Sequence, residues 1–401
     1  MLDLSHVPVV DVHTHPWRHD ALLALDPSGF EDRTTMMGMC QLTSGSSDGR
    51  GAWIAEMTEA TPFALMLRRR LARRLGVADD RDAVAAARHA ALAADPGGYV
   101  GGLLADAGVA ALICDEGYPQ PAIDLRALAG EIATPIHRVG RIEPWIAELA
   151  PQAGSAAELE DAFVARLERE AADRELIAFK SVIAYRTGLD VGDPSSADVA
   201  AAFERWRADG FRESRASSKP VRDRLLRRTL EVARDHDRPV HIHTGGGDPD
   251  VQIRHAQPSR LFPLIEAFGE QPIVLIHAGW PWTEEAAFVA SVLPHVFLDM
   301  SVMLPWASLA IDQKLEVLLG AAPVNKVMYG SDEASEPEVV WLSAQIGREA
   351  LGRVLSGAIA RGWLDEGQAL RLAEGVLGGN ALRLHGLEPA LAGGAGAKGA
   401  R

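Results

Sequence analysis

Two histidines one residue apart, His13 and His15, follow the apolar segment Val9-Val10-Asp11-Val12. On an extended chain, side chains two apart share a face, so both imidazoles project the same way. Such a pair can offer two nitrogens to one cation, which suits Zn²⁺ or a neighbouring transition ion. Taken alone, it could equally be a coincidence on a surface strand. Three other apolar runs end in the same manner. Pro239-Val-His-Ile-His carries His243 into Thr-Gly-Gly-Gly-Asp, Ile273-Val-Leu-Ile carries His277, and Lys326-Val-Met-Tyr-Gly-Ser leads to Asp332. A divalent ion held by such groups lowers the pKa of water and polarises a carbonyl, while a nearby carboxylate moves the proton.

The elements that would position these groups are short β-branched runs, each followed by a helical stretch: Val7 to His13, Ala110 to Cys114, Pro135 to Ile142, Leu176 to Ala184, Pro239 to His243, Ile273 to His277, Val296 to Met300 and Lys326 to Gly330. Alternating strand and helix with near-continuous apolar strands indicates a parallel sheet covered by helices. Eight units predict an α/β protein with a (β/α)₈ TIM barrel, whose chemistry gathers at the C-terminal ends of the strands. The first and second runs are separated by far more chain than one crossover helix requires. We therefore expect one barrel domain over residues 1–388 with a helical insertion at about 17–108, forming a lid or substrate wall, and a disordered Gly/Ala-rich tail at 389–401.

The 401 residues carry a formal charge of −15, which argues against nucleic acid as a partner. The Arg68–Arg74 and Arg222–Arg228 clusters alternate with Leu and read as solvated helix faces. The only cysteines, Cys40 and Cys114, form no framework, and no apolar stretch is long enough for a membrane span. With no signal-peptide pattern at the N-terminus, the expected setting is the cytoplasm. The expected partner is a small-molecule substrate, with no nucleic acid and no membrane. Barrels of this kind commonly pair, so a homo-oligomer is compatible with the sequence.

The order and context of these motifs resemble the amidohydrolase superfamily, specifically its amidohydrolase-2 branch, over nearly the whole barrel. More narrowly, Phe179-Lys180-Ser181 with Ala184-Tyr185-Arg186, Ile242-His243-Thr244-Gly245 through Asp248, His277-Ala278, Phe297-Leu298-Asp299 and Val327-Met328 with Asp332 resemble amidohydrolases associated with glutamine-synthetase-like proteins. Those relatives are thought to hydrolyse γ-glutamyl amides, which would place the chain in glutamine metabolism. A synthetase domain fused after the barrel is not expected from this sequence, and whether a synthetase-like partner is needed is left open. The resemblance implies that His13, His15, His243 and Asp332 hold a divalent metal, with Asp332 deprotonating water. It implies that His277 ligates a second ion or hydrogen-bonds the substrate carbonyl. Zn²⁺ is expected, with Mn²⁺ or Fe²⁺ as alternatives, as one ion or two.

Lys180 stands where two-metal members of the superfamily carry a carbamylated lysine bridging the ions. It either takes that role or, as a free ammonium, binds a substrate carboxylate or snorkels outward. His241, one layer deeper than His243, reads as structural or as support for the ligands; His19, close behind the first motif, could reach the site. Arg186 and Arg254 follow the fourth and fifth strands and could grip a carboxylate in two-point fashion, or pair with Asp190, Asp248 or Asp250. Asp115 and Glu116 could receive an ammonium or cap the next helix. Trp280 and Trp282, with Trp306, are candidates for an aromatic substrate wall or for helix packing. The expected reaction is hydrolysis of a C–N amide bond by metal-activated water. The rivals are a metal-dependent decarboxylase of an unsaturated or aromatic acid, which Lys180 and the synthetase-associated motifs disfavour, and a non-catalytic metal-binding scaffold.

Overall fold

The computed structural model describes residues 1–25, 27–43, 51–333 and 336–387, so the tail expected at 389–401 lies outside the described residues. Eight strands hydrogen-bond in chain order: β1 (Val9–Thr14), β2 (Val109–Asp115), β3 (Ile136–Arg141), β4 (Leu176–Ser181), β5 (Val240–His243), β6 (Ile273–Ile276), β7 (Val296–Asp299) and β8 (Val327–Met328). Every neighbouring pair is parallel. The ring is nearly closed by backbone bonds between the first strand and the segment after the last: Val12 N donates to Tyr329 O at 3.0 Å, and Asp332 N to His13 O at 2.8 Å. The fold is the (β/α)₈ barrel that the eight runs predict.

Two apolar clusters explain why the runs become strands. Val9, Leu112, Leu176, Phe179, Val240, Ile242, Ile273, Leu275 and Leu298 bury against the surrounding helices. Val10, Val12, Ala111, Ile113, Val139, Ala178, Val274, Ile276 and Met328 form an inner cluster, completed by Ala381 and Leu382 of helix Asn380–Leu384. Strands apolar on both faces read as continuous runs, as observed.

β1 holds a detail that alternation alone does not give. Between Asp11 and Thr14 it advances three residues while β2 advances two, from Leu112 to Cys114. This bulge changes the parity of the strand. Val10 and Val12 belong to the inner cluster before it, whereas His13 and His15 line the cavity after it.

Among the described residues, seven helices run between β1 and β2, from His19–Ala24 to Pro96–Asp106. They are fastened to the long helix Pro337–Ala360, which follows Asp332. Arg88 Nε meets Glu338 Oε1 at 2.6 Å with both side chains buried, and Tyr99 Oη donates to the same oxygen at 2.9 Å. Arg33 pairs with the buried Glu336 at 2.7 Å, and Trp341 Nε1 donates to Asp106 at 2.7 Å. Breaking one partner of a buried pair typically costs about 3–5 kcal/mol, so these contacts tie the insertion firmly to the barrel. No helix of the described residues is long and apolar enough to cross a membrane.

Candidate metal centre and its cavity

The C-terminal strand ends open into a cavity of about 240 Å³. His13, His15, Lys180, His243, His277 and Asp332 all line it, joined by Arg141, Tyr185, Arg186, Asp248 and Asp250. Met36 and Met39 bring the insertion into the wall.

The ligand atoms converge. His13 Nε2 stands 3.0 Å from Asp332 Oδ1, and His15 Nε2 stands 3.8 Å from the same oxygen. One nitrogen each from His13 and His277 and one oxygen of Asp332 lie within 4.8 Å of one another, as do atoms of His13, His15 and Asp115. Lys180 Nζ sits 3.0 Å from His13 Nε2, on the lone pair that a cation would use. His277 Nε2 is 2.9 Å from His243 Nδ1, and His243 Nε2 is buried with no hydrogen-bond partner among the described residues.

Neighbouring groups orient each ring. Ser301 Oγ donates to Asp299 Oδ1 at 2.6 Å and so accepts from His277 Nδ1 at 2.8 Å. That leaves the neutral His277 ring with its lone pair on Nε2. His15 Nδ1 donates to the Asp115 carbonyl at 3.2 Å, freeing Nε2 toward Asp332. The Asp115 carboxylate meanwhile holds Arg141 through Nε at 2.9 Å and Nη2 at 2.6 Å. Such partners set tautomer and ring angle in metal sites.

Backbone strain gathers here too. His277, Ala278, Val302 and Asp332 all have positive φ, from 43° to 69°. Each costs about 1–3 kcal/mol and persists only where its surroundings hold it. Gly245, at φ 82°, is needed for a close approach, since a Cβ there would stand 2.2 Å from the Trp280 carbonyl oxygen.

Burial sets the charge states. It drives His13, His243 and His277 well below the ordinary imidazole range, with Lys180 adding to the effect, and brings His15 to about 4. All four rings are therefore neutral, the form that binds metal. Burial also lowers the Lys180 ammonium to about 8 against the pull of Asp115, and raises the Asp332 carboxyl while Lys180 draws it back. Burial would raise Asp115 as well, but Arg141 overrides it and holds that carboxyl below its usual range. Neutral imidazoles, a convergent carboxylate and an unpartnered buried nitrogen fit a divalent cation; these nitrogen and oxygen donors suit Zn²⁺, Mn²⁺ or Fe²⁺.

Of the expected substrate contacts, Arg186 lines the cavity and makes no ion pair among the described residues; Asp190 pairs instead with Arg215 at 2.8 Å. Four others are placed elsewhere. Glu116 is captured by Arg138 at 2.6 Å, and Arg254 lies on the exposed turn Ile253–His255. Trp280, Trp282 and Trp306 all pack against the core, and of the three it is Trp306 that lines the cavity. His19 pairs with Glu131 at 3.0 Å, away from the metal-binding residues. His241 meets His385, nitrogen to nitrogen, at 2.9 Å on the side of the barrel away from the cavity. Arg141 and Tyr118 went unrecognised in the sequence. Arg141 ends β3, so the strand-end rule that selected the histidines also covers it.

The model of the amidohydrolase family matches residues 146–387. Protein fluG of Emericella nidulans is 32% identical over 235 residues, which are 56% of this chain and 27% of that protein. The chain thus spans about a quarter of the length of the curated relative it matches. Among solved structures, a Lactobacillus casei protein described as a metal-dependent hydrolase superposes with TM-score 0.83 at 22% identity, covering 98% of this chain and 99% of that one. Glucuronate isomerase from Caulobacter crescentus superposes with TM-score 0.70 at 16% identity, covering 96% and 92%. At these identities the likeness establishes the fold.

Proposed function

The chain belongs to the amidohydrolase family, and from that premise we propose that it hydrolyses the C–N amide bond of a small carboxylate-bearing substrate, with γ-glutamyl amides as the substrate class. The observation that carries the reading is the convergence of His13, His15, His277 and the Asp332 carboxylate in a cavity that also presents Arg186, which makes no ion pair among the described residues. The resemblance of the Phe179–Ser181 and Ile242–Asp248 motifs to synthetase-associated amidohydrolases supports the glutamyl part.

His13, His15, His243 and Asp332 would hold the cation, with His277 either beside them or hydrogen-bonded to the substrate carbonyl. A divalent ion there supplies Lewis acidity and lowers the pKa of water. The protein's own groups do the rest. Asp332 accepts the proton of the attacking water and returns it to the amide nitrogen as the C–N bond breaks. Arg186 holds the substrate carboxylate and so sets the carbonyl over the centre. Arg141, fixed by Asp115 through Nε and Nη2, keeps a cationic edge in the wall beside Lys180. Lys180 would either, as a carbamate, help to hold two ions or, as an amine, face the substrate.

The test is to incubate the metal-loaded protein with γ-glutamyl amides and measure free glutamate and amine. Release of both is expected; CO₂ released from an aromatic acid, with no glutamate formed, would overturn the proposal. Native mass spectrometry of the same sample decides the Lys180 question. A mass increment of one CO₂ with two ions supports the bridge, and an unmodified amine with one ion excludes it.

A further inference from the structure

A second cavity lies behind Tyr118. It has a volume of about 100 Å³; Trp17, Ala21, Leu22, Leu25, Tyr118 and Pro119 line it, with Arg18 at the side. The Arg33–Glu336 ion pair closes one side. Tyr118 lines both this space and the metal-site cavity, and its ring packs edge-on against His15 at 5.9 Å between centroids. Tyr118 therefore stands between the ligand set and this small chamber, whose leucine, tryptophan and proline walls are edged by Arg18, Arg33 and Glu336. One lining residue carries a buried polar atom without a partner: Trp17 is 2% exposed, and its Nε1 has no hydrogen-bond acceptor among the described residues.

The barrel's geometry gives this chamber a place in the reaction. The strands run in order from β1 to β8 around the ring, so β1 and β5 stand on opposite sides. Arg186, Asp248 and Asp250 follow β4 and β5, whereas the chamber is built from segments after β1, β2 and β8. A substrate whose carboxylate rests on Arg186 and whose carbonyl lies at the metal ligands must direct its amide nitrogen toward the β1–β2 side. On that side Tyr118 lines both the metal-site cavity and the chamber, so the two adjoin there.

Resting on the proposed amide hydrolysis, we propose that the chamber behind Tyr118 is the leaving-amine subsite and takes a small alkyl or aryl group on the amide nitrogen. Leu22, Leu25 and Pro119 remove that group from water, the rings of Trp17 and Tyr118 flank it, and Trp17 Nε1 donates to any acceptor atom it carries. The protein then selects its substrates at the amine end by apolar bulk. Discrimination of this kind is worth roughly tenfold or more per buried methylene at its best.

The experiment compares γ-glutamyl methylamide with γ-glutamyl n-butylamide in the metal-loaded wild type and in Ala21→Trp. Ala21 is exposed, so the substitution fills the chamber from its outer wall without disturbing the core. In the wild type kcat/KM should favour the butyl amide by about tenfold or more. Ala21→Trp should abolish that preference while leaving the methyl amide within about twofold. Equal effects on both amides, or no effect on either, would overturn the subsite. Ligand-observed NMR with N-butylacetamide, which lacks the glutamyl group, separates this idea from the reaction it rests on. Fragment binding that is lost in Ala21→Trp supports the chamber even if neither amide is cleaved, an outcome that would sink the hydrolysis alone. Fragment binding that Ala21→Trp leaves unchanged, or no fragment binding at all, overturns the chamber.

Discussion

Two histidine pairs in this barrel are nearly the same object by local criteria. His243 Nδ1 and His277 Nε2 stand 2.9 Å apart at the mouth; His241 Nε2 and His385 Nε2 stand 2.9 Å apart deeper in the barrel. All four rings are buried, and burial pulls all four below the ordinary imidazole range. What differs is where the remaining nitrogens lead. At the mouth, Asp299 and Ser301 fix the His277 tautomer, and the ring shares its surroundings with His13 and the Asp332 carboxylate. At depth, His385 Nδ1 donates its proton to the Ala381 carbonyl at 2.7 Å, and among the described residues no metal-capable cluster includes either ring of the pair. Proximity of imidazoles is thus a poor sign of chemistry by itself. A shared carboxylate, an open cavity and strained backbone make the distinction.

The comparison breaks most visibly if metal is removed. Chelation should abolish activity, and one divalent metal should restore it, because the mouth pair is useful only as part of a ligand set. Full activity after chelation, with metal shown absent by mass spectrometry, would reduce the mouth to the standing of the deeper pair. Next in size, Asp332→Asn should lower kcat by about 10²–10⁴ while metal stays bound, since the amide keeps an oxygen ligand but cannot accept the proton. A loss of metal in proportion to activity would instead make Asp332 a ligand alone.

The same contrast separates what the sequence reveals from what it does not. His13, His15, Lys180, His243, His277 and Asp332 were legible because each ends, or closely follows, an apolar run, and a barrel collects strand ends at one face. That His13 and His15 share a face is equally local, although the β1 bulge that turns them inward is not. The wall was harder. Met36, Met39 and Tyr118 reach the cavity from the insertion and a loop, where no periodicity fixes a direction. Glu116 shows the converse: a carboxylate next to a strand end looks available until a neighbouring strand supplies Arg138. Trp280 and Trp282 follow β6 as expected, yet packing claims them while Trp306 reaches the cavity. Seen from the sequence, His241 and His243 differ only by one layer of depth, and the partner that settles the role of His241 lies 144 residues away.

That partner gives the smallest and most discriminating prediction. With its Nδ1–H bonded to Ala381 O, a neutral His385 must accept at Nε2, so His241 donates from its own Nε2. His241→Leu strands the buried acceptor of His385 and should lower stability by about 1–3 kcal/mol in denaturant unfolding. Replacing both partners, as in His241→Leu with His385→Leu, removes the unmet acceptor together with its donor. The double variant should therefore recover most of that loss, because two apolar side chains of similar size can substitute for a buried pair at little cost. Neither variant should change kcat more than about twofold, whereas His277→Ala should be severely impaired. If His241→Leu instead loses activity as His277→Ala does, the deeper pair belongs to the chemistry, and depth in the barrel no longer separates support from function.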